Sequence, residues 1–316
     1  MTNQITHPSP SPLAPRPIIL RTVAEARAFL MAQRVQGHSI GFVPTMGALH
    51  RGHGALTECS VKENAITVLS IFVNPLQFGP NEDLDRYPRQ LAADLSLCQQ
   101  WGVTAVFVPP PDELTAGQQV QVLPPLAMTE VLCGRSRPGH FVGVATIVTK
   151  LLNIIQPDRA YFGQKDGQQV AIITQLVQQL NLPVVIVPVP TLREVDGLAL
   201  SSRNVYLTPA ERKVAPGLYQ GLQQVAAAVS QGERRVQILC DLVINHLGNL
   251  SNGATNNEIS NGTSPEFKID YVAMVTAATL TPITDYLPSG ERVMVAVAAK
   301  LGRARLIDNI LLDVVS

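Results

Sequence analysis

Two histidines three residues apart, His50 and His53, close a stretch that reads Pro44, Thr45, Met46, Gly47, Ala48, Leu49, His50, Arg51, Gly52, His53. The apolar residues 39–43 before it read as a strand, Pro44 and two glycines break regularity, and a helix can begin near His53. A helix N-terminus aimed at such a turn attracts an anion through its unpaired N–H groups and the positive end of the macrodipole. Gly47 and Gly52 would let the backbone approach a phosphate closely. The positive dipole also favours neutral imidazole at a helix start, so His53 would offer one N–H donor. These residue types at this spacing describe a nucleotide-phosphate site.

Two later stretches carry matching charges. Gly163, Gln164, Lys165 and Asp166 follow another apolar run and precede another helical pattern, so Lys165 would bring a point charge to phosphate, and Asp166 could cap the helix or accept from a ribose. Ser201 and Ser202 precede Arg203, whose planar fork can meet a phosphate in a bidentate geometry. His140, in the turn before the longest helix, reads as structural. His7, His38 and His246 are given no role.

The elements that must position these residues alternate. Strands are expected over 66–73, 103–108, 159–162 and 184–189. Helices are expected over a segment from Leu91 to about Trp101, over 141–156 and over 168–180. Val144, Ile147, Val148, Leu151, Leu152 and Ile155 fall at helical spacing, and so do Val170, Ile173, Val177 and Leu180, which are expected to face inward. Strand–helix alternation implies an α/β, Rossmann-like, doubly wound parallel sheet with right-handed crossovers, in which ligands sit beyond the carboxyl ends of strands. After about residue 191 the pattern changes to helices over 209–228 and 236–247, a polar run over 251–265, and strand candidates over 267–275 and 293–298, with 301–315 left unassigned. The expected organisation is a disordered extension over 1–18, a nucleotide-binding domain over 19–191, and a smaller C-terminal α+β domain over 192–316.

Composition narrows the class. The chain has 316 residues, 24 Lys plus Arg against 24 Asp plus Glu, and no long apolar span. That is a globular protein without the basic excess of a phosphate-backbone binder, so neither nucleic acid nor membrane is an expected partner. The four cysteines, Cys59, Cys98, Cys133 and Cys240, form no Cys-x-x-Cys, which suggests neither zinc nor a disulfide framework and fits a reducing cytoplasm. The first 17 residues carry neither a basic start nor an apolar core, so no secretory signal is expected.

The His-x-Gly-His pattern after the first strand resembles the signature of the nucleotidyl-transfer superfamily that includes class I aminoacyl-tRNA synthetases and cytidylyltransferases. The surrounding residues narrow the resemblance. Residues 44–50, 71–78, 137–144, 161–169 and 190–204 together resemble the pantoate–β-alanine ligase family over most of the chain from Gly41 to Asn309. The resemblance implies that Met46, Gly47, Ala48, Leu49, His50, Arg51, Gly52, His53, Gly163, Gln164, Lys165, Asp166, Leu192, Leu200, Ser201, Ser202 and Arg203 bind ATP, with Leu192 against the adenine and residues 201–203 as a mobile phosphate clamp. It assigns Gln77 and Gln169 to the organic substrates, pantoate above all; a carboxamide, both donor and acceptor, suits a hydroxy acid. Where the family often has Glu, this chain has Gln164. Mg2+ is expected with ATP. Of an acidic pair found in some members only Asp94 stands here, after Ala92 and Ala93, so no protein ligand to the metal is assigned.

The implied chemistry is two-step: the pantoate carboxylate attacks the α-phosphorus of MgATP with loss of pyrophosphate, and β-alanine then attacks the pantoyl adenylate to give pantothenate and AMP. His50, His53, Lys165 and Arg203 would position and stabilise charge, the C-terminal domain would close as a lid, and a cytoplasmic homodimer is implied. A transferase that keeps the nucleotide in its product, or a nucleotide sensor, would use the same histidine turn; AMP release with amide formation separates them. Some family members carry a fused cytidylate kinase. This chain has no Gly-Lys dipeptide, hence no Walker A loop and no expected kinase activity.

Overall fold

The computed structural model describes residues 15–80, 82, 84–253 and 265–315. The expected extension lies outside the described residues as far as residue 14, and the expected insertion does so over 254–264. The described chain departs from those bounds at two points: Ile18 already belongs to the first strand, and Ser251 is still helical.

Six strands form one sheet, all paired in parallel: β1 (Ile18–Leu20), β2 (Ile40–Thr45), β3 (Ile66–Ile71), β4 (Ala105–Phe107), β5 (Arg159–Gly163) and β6 (Val185–Val189), in the order β1-β4-β3-β2-β5-β6. Between and around them run α1 (Val23–Val35), α2 (Arg51–Glu63), α3 (Leu91–Gln100), three one-turn helices α4 (Pro111–Thr115), α5 (Leu126–Thr129) and α6 (Leu132–Ser136), then α7 (His140–Ile155) and α8 (Gly167–Gln179). From β2 the chain builds outward through β3 and β4, then returns to lay β5 on the other side. The strand order therefore reverses between β2 and β5, and a doubly wound sheet opens its ligand crevice at that point. The histidine turn leaves β2 there and the Lys165 segment leaves β5 there.

The apolar stripe of α7 is buried as its spacing predicts, from Val144 to Ile155. In α8, Val170, Ile173 and Val177 are buried, but Leu180 is 47% exposed. It is the residue after the last helical one, where the chain turns off the core, so it does not continue the inward stripe. The expected helix over 209–228 is two helices, α9 (Pro209–Val214) and α10 (Gly217–Ser230). Pro216 separates them, because its ring lacks the N–H that a continuous helix requires and crowds the preceding turn.

After α11 (Val236–Gly253), β7 (Phe267–Thr276), β8 (Arg292–Leu301) and β9 (Ala304–Asp313) form an antiparallel sheet in that order. Strand alternation gives β8 two apolar faces. Val293, Val295 and Val297 pack on Leu218 and Leu222 of α10 and on Leu239 and Val243 of α11, each buried aliphatic contributing about 1.5–3 kcal/mol. Met294 and Ala296, on the other face, pack with Ala171 and Ile172 of α8 and with Phe141 of α7. The second sheet is thereby fastened to the helices that border the crevice.

Candidate active site

His50 is the N-cap of α2, which begins at Arg51, two residues before the expected start. The two histidines build the cap reciprocally. The Nδ1 of His50 accepts the N–H of Gly52 at 3.1 Å, and the Nδ1 of His53 accepts the N–H of His50 at 3.3 Å. Both Nδ1 atoms being acceptors, each neutral ring carries its proton on Nε2. The rings lie 4.2 Å apart, centroid to centroid. Burial, then the neighbouring His50, then Lys165 push the His53 pKa down to about 3. Burial and then Lys165 lower that of His50, with Asp166 opposing. The pair is neutral at physiological pH and offers two Nε2–H donors.

The expectation of free amides in this turn is corrected. Gly47 N–H donates to Thr45 Oγ1 at 3.2 Å, and the amides of Ala48 and Leu49 donate to the two carboxylate oxygens of Asp94 at 3.0 and 2.8 Å. With His50 and Gly52 amides capped by imidazole, the turn holds itself rather than presenting a row of vacant donors. Gly52 likewise serves the fold: a Cβ there would lie 2.7 Å from His50 Cε1, so its bareness admits the capping ring. Asp94 is 1% exposed, behind the turn, and its oxygens are engaged; it is not placed to hold a metal ion. Ala48 sits at φ 51, a left-handed conformation costing a non-glycine residue about 1–2 kcal/mol, and the Asp94 bond holds it there.

Across the crevice, residues 164–166 form one turn of 3-10 helix before α8. The side chain of Asn309 on β9 fixes this turn: its Nδ2 donates to the carbonyls of Gln164 and Lys165, both at 2.9 Å, and its Oδ1 accepts from Gln164 Nε2 at 3.2 Å. Gln164 thus faces Asn309. Lys165 faces the cavity, its Nζ 4.0 Å from Asp166 Oδ1.

Gln77 follows β3 on a short 3-10 turn capped by Asn74. The Nδ2 of Asn74, 1% exposed, donates to Gln77 Oε1 at 3.0 Å and to the carbonyl of Gly143 at 3.1 Å. With Oε1 occupied, Gln77 presents its NH2, now 3.3 Å from Met46 Sδ. A Cβ on Gly143 would lie 2.1 Å from the carbonyl of Leu76, so only glycine lets α7 pass this close. His140 supports the same loop, as expected of a structural residue. Its Nδ1–H donates to the carbonyl of Gln77 at 2.9 Å, and its Nε2 lies 3.0 Å from Arg137, which is paired at 2.5 Å with Glu82. Burial and then Arg137 push its pKa down to about 4.

Leu192 and Leu200 are joined by a backbone hydrogen bond of 3.0 Å, and the chain then enters a 3-10 turn, Ser202–Tyr206, capped by Ser201. Arg193, in the same segment, makes a bidentate pair with Asp308 at 2.6 and 2.9 Å and stacks 3.5 Å over the ring of Tyr219.

One cavity of about 270 Å³ gathers Met46, His50, Gly52, His53, Gln77, Gly163, Lys165, Asp166, Gln169, Leu192, Leu200, Ser201, Ser202 and Arg203. It adjoins a larger one of about 680 Å³, to which Lys165, Gln169, Ser201 and Arg203 also belong. Gly47, Ala48, Leu49, Arg51 and Gln164 do not line the smaller cavity: Ala48 and Leu49 are buried toward Asp94, and Arg51 is exposed. Asn74, Asp94 and Asn309 hold the lining residues in place, a role that sequence reasoning does not assign to them. Among the described residues no group of three His, Cys, Asp or Glu side chains could hold a metal ion, and no helix is long and apolar enough to cross a membrane.

The family model for pantoate-beta-alanine ligase matches residues 18–311. The chain is 48% identical over 296 residues to the pantothenate synthetase of Geobacillus thermodenitrificans, covering 94% of this chain and 96% of that one. It is 48% identical to the bifunctional pantoate ligase/cytidylate kinase of Synechocystis sp., of which it covers 55%. Among solved structures, the pantothenate synthetase of Thermus thermophilus superposes with a TM-score of 0.82 at 44% identity, over 95% of this chain and all of that one. A pantoate-beta-alanine ligase of Francisella tularensis, complexed with beta-gamma ATP and beta-alanine, does so with a TM-score of 0.72 at 33% identity, over 93% and 97%. A crevice with this histidine cap, on this sheet and over this length of match, assigns the chain to the pantoate–β-alanine ligase family.

Proposed function

We propose that the chain condenses pantoate with β-alanine at the expense of ATP, through a pantoyl adenylate, releasing AMP and pyrophosphate. The observation that carries this reading is the single cavity at the β2/β5 crevice, which two neutral histidines, Lys165 and Arg203 share with two glutamines. A carboxylate is a poor acyl donor to an amine, and transfer to AMP supplies the leaving group. Nε2–H of His50 and His53 with Lys165 meet charge developing on the phosphates, and Ser201, Ser202 and Arg203 close on them from the other side. Gln77 offers its NH2 to the oxygens of pantoate, and Gln169 completes that end of the cavity. Magnesium would arrive with ATP and would offset charge on its phosphates.

The same reading divides the chain near residue 191 and has the second unit cover the adenylate against water. The apolar contact of β8 with α8 and the grip of Asn309 keep that movement small, so the segment carrying residues 201–203 travels furthest. A cytoplasmic homodimer is part of the proposal. The deciding measurement is exchange of labelled pyrophosphate into ATP, expected to require pantoate but not β-alanine. Exchange that demands the amine would overturn the two-step order.

A further inference from the structure

The register of the second sheet places Lys268 of β7 opposite Lys300 of β8, and Lys300 opposite Arg305 of β9. Three cations therefore stand in one row across adjacent strands. Like charges directly opposite each other destabilise a sheet, so the row needs a compensating partner. Arg305 has one, since its Nη2 lies 2.6 Å from Asp270 Oδ2. Lys268 and Lys300 are exposed and make no ion pair or hydrogen bond among the described residues. The next row on the same face, Tyr271, Ala298 and Ile307, carries no charge.

The row borders the 680 Å³ cavity that also holds Arg203 and Lys165. Of the carboxylates around that cavity, Glu82, Asp166, Asp270 and Asp308 each have a cationic neighbour, namely Arg137, Lys165, Arg305 and Arg193. Among the described residues Arg203, Lys268 and Lys300 remain without a carboxylate, so the cavity wall carries an excess of positive charge beside the phosphate end of the proposed ATP site.

We propose that Lys268 and Lys300, with Arg203 on the same cavity, form a second anion site that receives pyrophosphate after it leaves the α-phosphorus; this rests on the reaction proposed above. The polyanion must depart while the adenylate stays enclosed, and its return attack would regenerate ATP. Two unpaired ammonium groups outside the reacting cavity draw it away from that return.

The test titrates inorganic pyrophosphate, inorganic phosphate and AMP into the full chain and into the Lys268→Gln/Lys300→Gln variant, by calorimetry at low and moderate salt. Pyrophosphate is expected to bind the variant at least tenfold more weakly, with a shallower salt dependence, and AMP to bind both equally. The thermal midpoint of the variant should be unchanged or raised, because a like-charge pair is removed. Equal pyrophosphate affinity in the two proteins overturns the site, and an equal loss of AMP affinity reassigns it from pyrophosphate to nucleotide. Adenylate formation by the unaltered chain is followed separately: its absence would remove the proposed reaction, while the titrations would still decide whether the lysines hold an anion.

Discussion

The carboxylate of Asp94 accepts the backbone N–H of Leu49 at 2.8 Å across 45 residues of sequence, and its second oxygen takes that of Ala48. One side chain of α3 thereby sets the conformation from which His50 and His53 emerge. Asp94→Asn turns an NH2 toward one of those amides and leaves a buried donor without an acceptor, at about 1–3 kcal/mol. We expect lower urea stability together with a fall in the rate of adenylate formation, and little change in pantoate affinity. A variant with full adenylation rate would show that the turn keeps its shape unaided.

His53→Ala removes both the Nε2–H donor and the cap on His50 N–H. A donor that meets charge developing at the α-phosphorus strengthens in the transition state, so adenylation rate should fall more than ATP affinity. By comparison with other preorganised donors the loss is on the order of 2.7–4 kcal/mol in that step. Single-turnover formation of pantoyl adenylate at saturating MgATP measures it, with folding checked by circular dichroism. A normal rate in the folded variant would reduce His53 to a helix cap.

Gln77→Ala should weaken pantoate much more than ATP. Asn74→Ala should do the same less severely, because it frees Gln77 Oε1 to rotate toward the ligand and spoils the presentation of NH2. Equilibrium binding of each ligand to the two variants separates the cases; parallel losses for ATP and pantoate would reject the assignment.

Acid stability follows from the buried imidazoles. With folded values near 3 for His53 and 4 for His140, against an ordinary 6.5, the unfolded chain binds more protons at every pH between. Their neutral burial is fully tolerated above pH 6.5, and stability falls as the pH drops from there toward 4. His140 faces Arg137, Glu82 and Asp166, and His53 faces His50 and Lys165. Urea midpoints should therefore decline between pH 7 and 5, above the range in which ordinary carboxylates titrate. His140→Gln should be less stable at pH 7 but show a shallower decline. An unchanged slope in that variant would mean that the imidazole titrates normally in the folded chain.

Strand and helix periodicity reveals the crevice in the sequence because β2 and β5 are short apolar runs that end in glycine-bearing turns. Local pattern serves less well elsewhere. The helix α1 buries only Ala26 and Leu30, too thin a stripe to stand out among polar residues. The break between α9 and α10 is signalled by Pro216 and Gly217, but the continuous apolar pattern outweighs it. β9 is not assigned from sequence although Gly302 marks the hairpin that produces it. Asp94 and Asn309 have no local signal at all: each acts on backbone groups brought near only by the finished fold, and an aspartate on a helix or an asparagine on a strand resembles any solvated residue until then. Gln77 and Arg203 are legible by resemblance, while the reason Gln77 shows its NH2 lies in Asn74, three residues before it.

The grip of Asn309 on the carbonyls of Gln164 and Lys165 has a bearing on how the protein is made. During synthesis the parallel sheet is complete once residue 189 has emerged, and the histidine cap and Lys165 already exist as chain. The turn that aims Lys165 remains unheld until β9 leaves the ribosome about 120 residues later. A nascent or prematurely terminated chain can thus carry most of the nucleotide crevice without the final brace. It would be slow to activate an acid that it is not yet able to enclose.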